Sequence, residues 1–570
     1  MRLTKFSVTN YKVFKEKFTI DFSQDSIAIL TGRNNTGKST VLEAINCFYL
    51  KETKAKTIPN DCFSMRGKEI KLEAVFESGE NKYEIVKKYE EESAPKFYDS
   101  ENSVITRSHE LNEALNEILN NKPFYITPSM LPEDINDLIQ NIYSEIIESD
   151  LKKLENIGED EADNAKLKEL SREYEDIKRA YPRFVRKLKE STDKLLKEVS
   201  YDVSKDLRTL FSNEHINLNV VGGESEGFSS SDILKSTNSS VNIDNSTQSE
   251  MPLSNQGTGL QRMSLISLIQ NMIHKNLMGE SNEKLLLIDE PEAFLHPEAV
   301  RALSKSLYSI GQEMPLMIST HSPILIDLSE RHTSIQVFRV SDKKAIQLFK
   351  SKQDQFDDDD IKNMKILNYV DSYVNEFFFA DKILIVEGDT EYIAFRHLAK
   401  LHVKNIHIIR ARGKSTIRTL MKILNQFNTN YDVIHDVDNK WKYSSQTLKS
   451  QKTNCLEILK LRKSDNIRIF SSISNFENAI GLDDVSNEKK TRTIYEIVNQ
   501  GSDNPELIRA YNEIEKLFKC IVEKDYTITL NQNFLNVSSP EDYDYLFDEL
   551  IKQKISGEEE SKKKEEENVH

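Results

Sequence analysis

Two acidic side chains at the end of an apolar run, Asp289 and Glu290 in LLLIDEPEAFLHP, are well suited to phosphate chemistry in this 570-residue chain. The apolar residues before them suffice for a buried parallel strand, and open α/β sheets bind ligands at the C-terminal ends of such strands. Far upstream, GRNNTGKST (Gly32 to Thr40) follows a second apolar strand, Ile27 to Leu30, and opens into the helical pattern VLEAINCFYL. This is the G-x-x-x-x-G-K-[ST] spacing of a phosphate loop. Its glycines let backbone N–H groups cradle phosphates, Lys38 neutralises the β/γ oxygens, and Ser39 offers a hydroxyl to Mg²⁺. Asp289 would hold that Mg²⁺ through water, and Glu290 would polarise the attacking water. Gly32, Asn34, Asn35, Gly37, Lys38, Ser39 and Thr40 are the expected ATP contacts. Together the two motifs imply ATP binding and hydrolysis.

A second constellation starts after Ala380. KILIVEGDTEYIAFRHLAK gives an apolar strand, Ile383 to Val386, then Glu387 and Gly388, then a helix with Glu391 in its first turn. YDVIHDVDN gives a short strand ending in Asp436 and Asp438. Carboxylates at the ends of neighbouring parallel strands converge on one crevice, and hard oxygen ligands suit Mg²⁺ or Mn²⁺. Two such ions ~4 Å apart activate a water and stabilise the leaving oxygen of a phosphodiester. The alternative, helix N-cap acids, suits Asp389 better than Glu387, Asp436 or Asp438, each of which follows an apolar strand. Between the acidic segments, IRARGKST carries Arg410, Arg412, Lys414 and Arg418, which either touch DNA phosphates or form a solvated basic loop. Position 408 is Ile, so this segment is not a second phosphate loop.

Two further segments could complete the first site. LSNQGTGLQR places Ser254, Gly257 and Gly259 before the apolar helix SLISLIQNMI, where helix N-terminal N–H groups could face a γ-phosphate. LMISTHSP ends a third apolar strand at His321, also within reach of a γ-phosphate. Alone, the first is a capped glycine-rich loop and the second a structural histidine.

The elements that must position these groups divide the chain into an N-terminal ATPase lobe (1–107), a charged helical region (108–213), a C-terminal ATPase lobe (214–345), a linker and helix (346–380), a second α/β domain (381–550) and a charged tail expected to be disordered (551–570). Pro182 interrupts the helical region, which reads as a dimerisation insertion or as a solvated cap. Ser229 to Ser249 reads as a mobile polar loop, and Asp357 to Asp360 as a helix N-terminus rather than a metal site. No apolar run approaches ~18 residues and no signal pattern is present, so a cytoplasmic protein with no membrane association is expected. Cys47, Cys62, Cys455 and Cys520 are too scattered for a zinc site or a disulfide framework. The net charge of −16 excludes a surface coated for nucleic acid, though not a local basic groove.

The order phosphate loop, Ser/Gly segment, acidic strand end, strand-end histidine resembles the ABC ATPase head of the SMC and RecF type. FSVTNYKVFKEKFTIDF is similar to the two N-terminal strands of those heads. That resemblance implies two heads closing on ATP, with Ser254, Gly257 and Gly259 of one facing the phosphate loop of the other, hence a homodimer or higher homo-oligomer. VEGDTE followed by a D-x-D strand resembles the Toprim domain. A head followed by Toprim resembles the OLD family (overcoming lysogenisation defect), which includes the Gabija nuclease subunit and effectors of some retrons. The implied fold class is α/β, an ABC-type (SMC/RecF-like) head with a helical insertion and then a Rossmann-like Toprim domain. The implied activity is ATP-controlled, metal-dependent cleavage of DNA in antiphage defence, with an operon partner such as a helicase or a reverse transcriptase with its DNA, or none. A DNA-binding ATPase with an inactive Toprim platform is the alternative. Relatives add a late acidic segment and a lysine. Ser472 and Glu477 match the former, Asn475 stands where Gabija-type relatives carry aspartate, and Lys489 or Lys490 matches the lysine.

Overall fold

The computed structural model describes residues 1–22, 27–52, 58–128, 166–211, 214–221, 240–244, 251–275, 284–328, 335–341, 344–350, 356–370, 374–426, 430–482, 486–500 and 504–567. Contacts divide the chain into two compact units, Met1–Leu325 with Ser334–Ile346, and Ile326–Thr333 with Gln347–His570.

In the first unit, β1 (Arg2–Thr9), β2 (Phe18–Asp21), β3 (Ile27–Thr31) and α1 (Lys38–Tyr49) precede an antiparallel run of β4 (Ile70–Ser78), β5 (Asn81–Tyr89) and β6 (Lys96–Tyr98). Next come α2 (Asn112–Asn120), β7 (Phe124–Ile126), α3 (Lys166–Phe211), β8 (Asn217–Val221), β9 (Ser240–Asp244) and β10 (Met251–Pro252). The unit closes with α4 (Thr258–His274), β11 (Leu286–Asp289), α5 (Pro297–Glu313), β12 (Leu316–Ser319), β13 (Ile335–Val340) and the start of β14 (Ala345–Lys350). Two of its sheets have different burial logic. The sheet β2-β1-β4-β5-β6 buries one face: Ile70, Leu72, Ala74 and Phe76 alternate inward along β4. The sheet β14-β13-β3-β12-β11-β7 buries both faces, so β3, β11 and β12 are unbroken buried runs. Within it β13, β3, β12, β11 and β7 are mutually parallel, which brings their C-terminal ends to one edge.

Several boundaries differ from the sequence reading. Residues 108–128, expected in the helical region, contain β7, the edge strand of the parallel sheet. Three residues, FYI, are too short for a periodicity to register. α3 runs on across Pro182; a helix of 46 residues tolerates one missing backbone donor. Its C-terminal half belongs to the unit's core: Leu196, Val199, Val203 and Leu207 are buried, and Ser200 Oγ and Ser204 Oγ accept from the N–H groups of Val220 and Leu218 in β8. Within the expected loop Ser229–Ser249, residues 240–244 form β9, central in the sheet β10-β9-β8; the remainder lies outside the described residues.

In the second unit, α6 (Asp358–Val370) precedes β15 (Ile383–Val386), α7 (Asp389–Leu401), β16 (His407–Arg410), α8 (Lys414–Leu424), β17 (Tyr431–Asp436), α9 (Ser445–Lys460) and β18 (Arg468–Ser472). Then follow α10 (Phe476–Ala479), α11 (Asn487–Gln500), α12 (Pro505–Phe518), β19 (Phe534–Val537) and α13 (Pro540–Glu567). The sheet order is β16-β15-β17-β18-β19, parallel except for β19. The acidic run at 357–360 is a helix N-terminus as expected: Asp357 Oδ1 accepts from Asp360 N at 2.9 Å, and Asp360 accepts from Thr419 Oγ1 at 2.8 Å. The tail expected to be disordered from residue 551 continues α13 as far as Glu567. Its Glu and Lys blocks are helix formers, which charge counting alone does not distinguish from a solvated coil. Cys47, Cys62, Cys455 and Cys520 are free thiols.

α5 crosses the parallel sheet at Gly311, where an added Cβ would lie 2.4 Å from Ile27 Cγ1. Gly311→Ala is therefore expected to lower the stability of the first unit by about 1–3 kcal/mol in urea unfolding. Adding Ile27→Val should recover part of the loss; a neutral Gly311→Ala would mean the helix can shift freely off the strand.

Candidate active sites

The first site lies at the C-terminal edge of the parallel sheet. β3 delivers the phosphate loop, whose turn needs left-handed backbone at Gly32 (φ 141°), Asn35 (φ 62°) and Gly37 (φ 101°). Gly37 is also a steric requirement, because a Cβ there would stand 2.4 Å from Phe14 Cζ and 2.8 Å from Val13 Cγ2. The segment between β1 and β2 thus forms a wall against the loop. Lys38, buried, donates to the carbonyls of Gly32 at 3.2 Å and Arg33 at 3.0 Å, curled over the loop it would serve. Burial lowers its pKa, and Glu290, Asp289 and Glu292 oppose that shift. Asp289, at the end of β11, accepts hydrogen bonds from the Ser319 and Ser39 hydroxyls, while burial raises its pKa. Ser39 and Asp289 are thus joined before any ion is present.

Glu290 sits in left-handed backbone (φ 45°), held by N–H donation to Ser319 O at 3.1 Å, and its Oε1 lies 3.7 Å from His321 Nε2. His321 has its pKa lowered by burial and by Lys38, which favours the neutral imidazole. Sequence reading missed Glu292. Its Oε1 accepts from Thr320 Oγ1 (2.7 Å), His321 N (2.7 Å) and Ser322 N (3.1 Å), fixing the turn that presents His321. Its signal was a third carboxylate in DEPEAF, which spacing alone does not assign.

The Ser/Gly segment divides by role. Gly257 is exposed at the N-terminus of α4 with open space around it, and Ser254 O accepts from Gln261 Nε2 at 3.0 Å. Gly259 is a packing glycine, since a Cβ would meet Phe294 O at 3.0 Å. Arg262, buried in the same helix, donates to Ala293 O at 3.1 Å, Glu290 O at 3.4 Å and Thr127 O at 3.3 Å. Asn34, Gly37 and Thr40 lie in the loop or first turn of α1, as expected.

The second site lies at the parallel edge of the second unit. Glu387 follows β15, Asp436 ends β17, and Asp438 (φ 59°) comes two residues later. Glu387 Oε2 accepts from Asp436 N at 2.9 Å, tying the two strand ends together. Gly388 leaves room for Glu391, whose Oε2 would lie 3.0 Å from a Cβ there and which accepts from Thr390 Oγ1 at 3.0 Å. Burial, Glu387 and Glu477 push Glu391 up to about 7. Burial, with Glu391, Glu387 and Asp438, raises Asp436 well above the usual carboxylate range. Asp436 Oδ1 is buried without a hydrogen-bond partner. Each carboxylate disfavours charge on its neighbours, and a cation would relieve it.

Of the two lysines left open, Lys490 reaches the cluster, 2.8 Å from Glu477 Oε2, while Lys489 is exposed. Asn475 N-caps α10, accepting from Asn478 N at 2.9 Å. Arg410 pairs with Asp389 at 2.5 Å. Lys414, grouped with the basic loop, instead turns into the cluster: Nζ lies 2.5 Å from Asp438 Oδ2 and 3.5 Å from Glu387 Oε1. Among the described residues no three His, Cys, Asp or Glu side chains close on one point as a finished metal cage. The donors nevertheless suit a hard divalent ion, which needs one or two carboxylates plus water and phosphate oxygens.

Residues 1–326 match the family model described as AAA ATPase domain, and residues 378–438 match the one described as overcoming lysogenization defect protein-like, TOPRIM domain. The Old nuclease of Escherichia phage P2 is 24% identical over 300 residues, 47% of this chain and 49% of that protein. The OLD nuclease of Thermus scotoductus is 25% identical over 198 residues, 33% of this chain and 36% of that protein. The chain thus spans at most about half the length of these relatives. The Smc head domain with an extended coiled coil from Pyrococcus furiosus aligns at TM-score 0.40 and 16% identity, covering 65% of this chain and 99% of that one. The SMC head domain from Thermotoga maritima aligns at TM-score 0.31 and 14% identity, covering 61% and 99%. The fold assignment rests on strand order and on the family models.

The Glu391 shift has a definite pH signature. With its pKa raised from the ordinary 4.5 to about 7, the stability it contributes is full below 4.5 and is lost as pH rises through 7. In chelator at pH 8, Glu391→Gln should therefore unfold at higher urea than the unsubstituted protein, by up to about 3 kcal/mol, the gap closing towards pH 4.5. A gap independent of pH would mean that the carboxylate is not desolvated in the folded state.

Proposed function

Because the chain belongs to the AAA ATPase domain family and joins that domain to an OLD-like Toprim domain, we propose that it is an ATP-controlled, divalent-metal-dependent DNA endonuclease acting in antiphage defence. The observation that carries the reading is the convergence of Glu387, Glu391, Asp436 and Asp438 at neighbouring parallel strand ends. Buried and half-buried carboxylates crowded around an Asp436 oxygen that has no hydrogen-bond partner suit a cation.

In the Toprim cluster, Glu387, Glu391, Asp436, Asp438 and Glu477 are the carboxylates among which Mg²⁺ or Mn²⁺ would be held. Such an ion, when bound, would lower the pKa of a coordinated water and act as a Lewis acid on the phosphate oxygens. Lys490, fixed on Glu477, stabilises negative charge growing on the phosphate during attack. In the ATPase, Lys38 would neutralise the β/γ-phosphates, Ser39 and Asp289 would hold Mg²⁺, and Glu290 with His321 would orient the attacking water. The exposed N-terminus of α4 around Ser254 and Gly257 suits a γ-phosphate held by a second copy, which supports a homodimer or higher homo-oligomer. The operon partner, a helicase or a reverse transcriptase with its DNA, follows from the family resemblance alone. Among the described residues no helix is long and apolar enough to cross a membrane. One observation favours the rival, a DNA-binding ATPase with an inactive platform: Asn475 is neutral and spends its side chain on a helix cap.

Plasmid nicking and ATP turnover separate the readings. Glu387→Ala or Asp436→Ala should reduce nicking by orders of magnitude and leave ATP binding within about twofold. Unchanged nicking in either variant would leave the rival standing. Lys38→Ala should weaken ATP binding, and Glu290→Gln should bind ATP but hydrolyse it at least ~100-fold slower. Equal turnover would remove Glu290 from its role. With free Mg²⁺ held constant, added ATP should restrain nicking in the unsubstituted protein and not in Lys38→Ala; flat, identical titrations would mean two independent enzymes on one chain.

A further inference from the structure

Lys414 stands where local rules would not put a lysine. It is the first residue of α8, and unsatisfied N–H groups already make a helix N-terminus electropositive. Its side chain is only 5% exposed, unlike a basic loop residue waiting for DNA. A buried ammonium persists only when paired. Here the pairing is double, with Asp438 at 2.5 Å and Glu387 at 3.5 Å. Two carboxylates within ion-pairing distance offset the desolvation of the ammonium and hold it in place.

The cluster is therefore divided. Asp438 and the Oε1 side of Glu387 are matched by Lys414, and Glu477 is matched by Lys490. Asp436 Oδ1 has no hydrogen-bond partner, and Glu391 Oε2 takes the Thr390 hydroxyl. A divalent ion placed at Asp438 would face a buried ammonium across a few ångströms of low-dielectric space. An ion at Glu391 and Asp436 would meet two carboxylates whose mutual repulsion it relieves. Two protein carboxylates, with water and substrate phosphate, are a usual complement for Mg²⁺. That number also agrees with the absence, among the described residues, of a closed three-ligand cage.

We infer that the Lys414 ammonium stands in for one of the two divalent ions of phosphodiester hydrolysis, fixed between Glu387 and Asp438, so that the cluster takes a single divalent ion on Glu391 and Asp436. The inference rests on the metal-dependent reading above and concerns how many ions that reading needs. A fixed ammonium supplies charge to a phosphate oxygen without having to be recruited from solution, whereas it cannot acidify a water as a metal does. The divalent ion keeps that task.

The test counts Mn²⁺ bound to the full chain by calorimetry and by the EPR signal of free Mn²⁺, without nucleotide or DNA. All proteins carry Asp289→Asn, so that the ATPase site does not contribute. With Lys414 in place about one ion per chain is expected, with Lys414→Gln about two, and with Lys414→Gln/Asp438→Asn about one again. Two ions with Lys414 in place overturn the inference and leave the metal-dependent reading intact. One ion with both Lys414 and Lys414→Gln also overturns it, because the lysine then blocks nothing. No ion in any of the proteins overturns inference and functional reading together. Lys414→Arg, which keeps the charge, should keep the single ion, and two ions there would count against the inference should Lys414→Gln fail to fold.

Discussion

Partly desolvated carboxylates crowded at the ends of parallel strands are the constraint on which this molecule turns. A parallel sheet covered on both faces must spend its strands on apolar residues, so polar chemistry is confined to the edge where the strands end. Both units place their candidate acids at that edge. Asp289 follows Leu286–Ile288, Glu387 follows Ile383–Val386, and Asp436 follows Tyr431–His435. Such positions are partly desolvated, so a carboxylate there is costly unless a cation or a set of donors meets it.

The two units meet that cost differently. In the ATPase, donors do much of the work: hydroxyls of Ser319 and Ser39 hold Asp289, and three donors hold one oxygen of Glu292. In the Toprim cluster hydroxyls and N–H groups are fewer, and ammonium groups take their place at Asp438 and Glu477. The first arrangement fixes geometry around a nucleotide that brings its own metal. The second leaves an unsatisfied oxygen at Asp436, a standing demand for positive charge.

Much of this was legible in the sequence because both sites are written locally. The phosphate loop is one turn, and Glu387 and Glu391 share one strand-helix junction, so apolar runs followed by acids sufficed to locate them. What escaped depended on distant chain segments. Lys414 meets Asp438 across 24 residues, and RARGKST reads as a basic loop until β16 is known to lie beside β15. Choosing Lys490 over Lys489 required the phase of α11, because adjacent helical residues face different ways. β7 was hidden by brevity, and α3 ran past a proline expected to interrupt it.

Arg262 gives the ATPase a mechanical property. One guanidinium on α4 holds the backbone carbonyls of Glu290 and Ala293, the same short turn that carries the Glu290 side chain. The exposed helix start and Glu290 are therefore joined through a single buried side chain. A change of side chain at position 262 would therefore loosen two parts of the chain that lie 28 and 31 residues away in sequence.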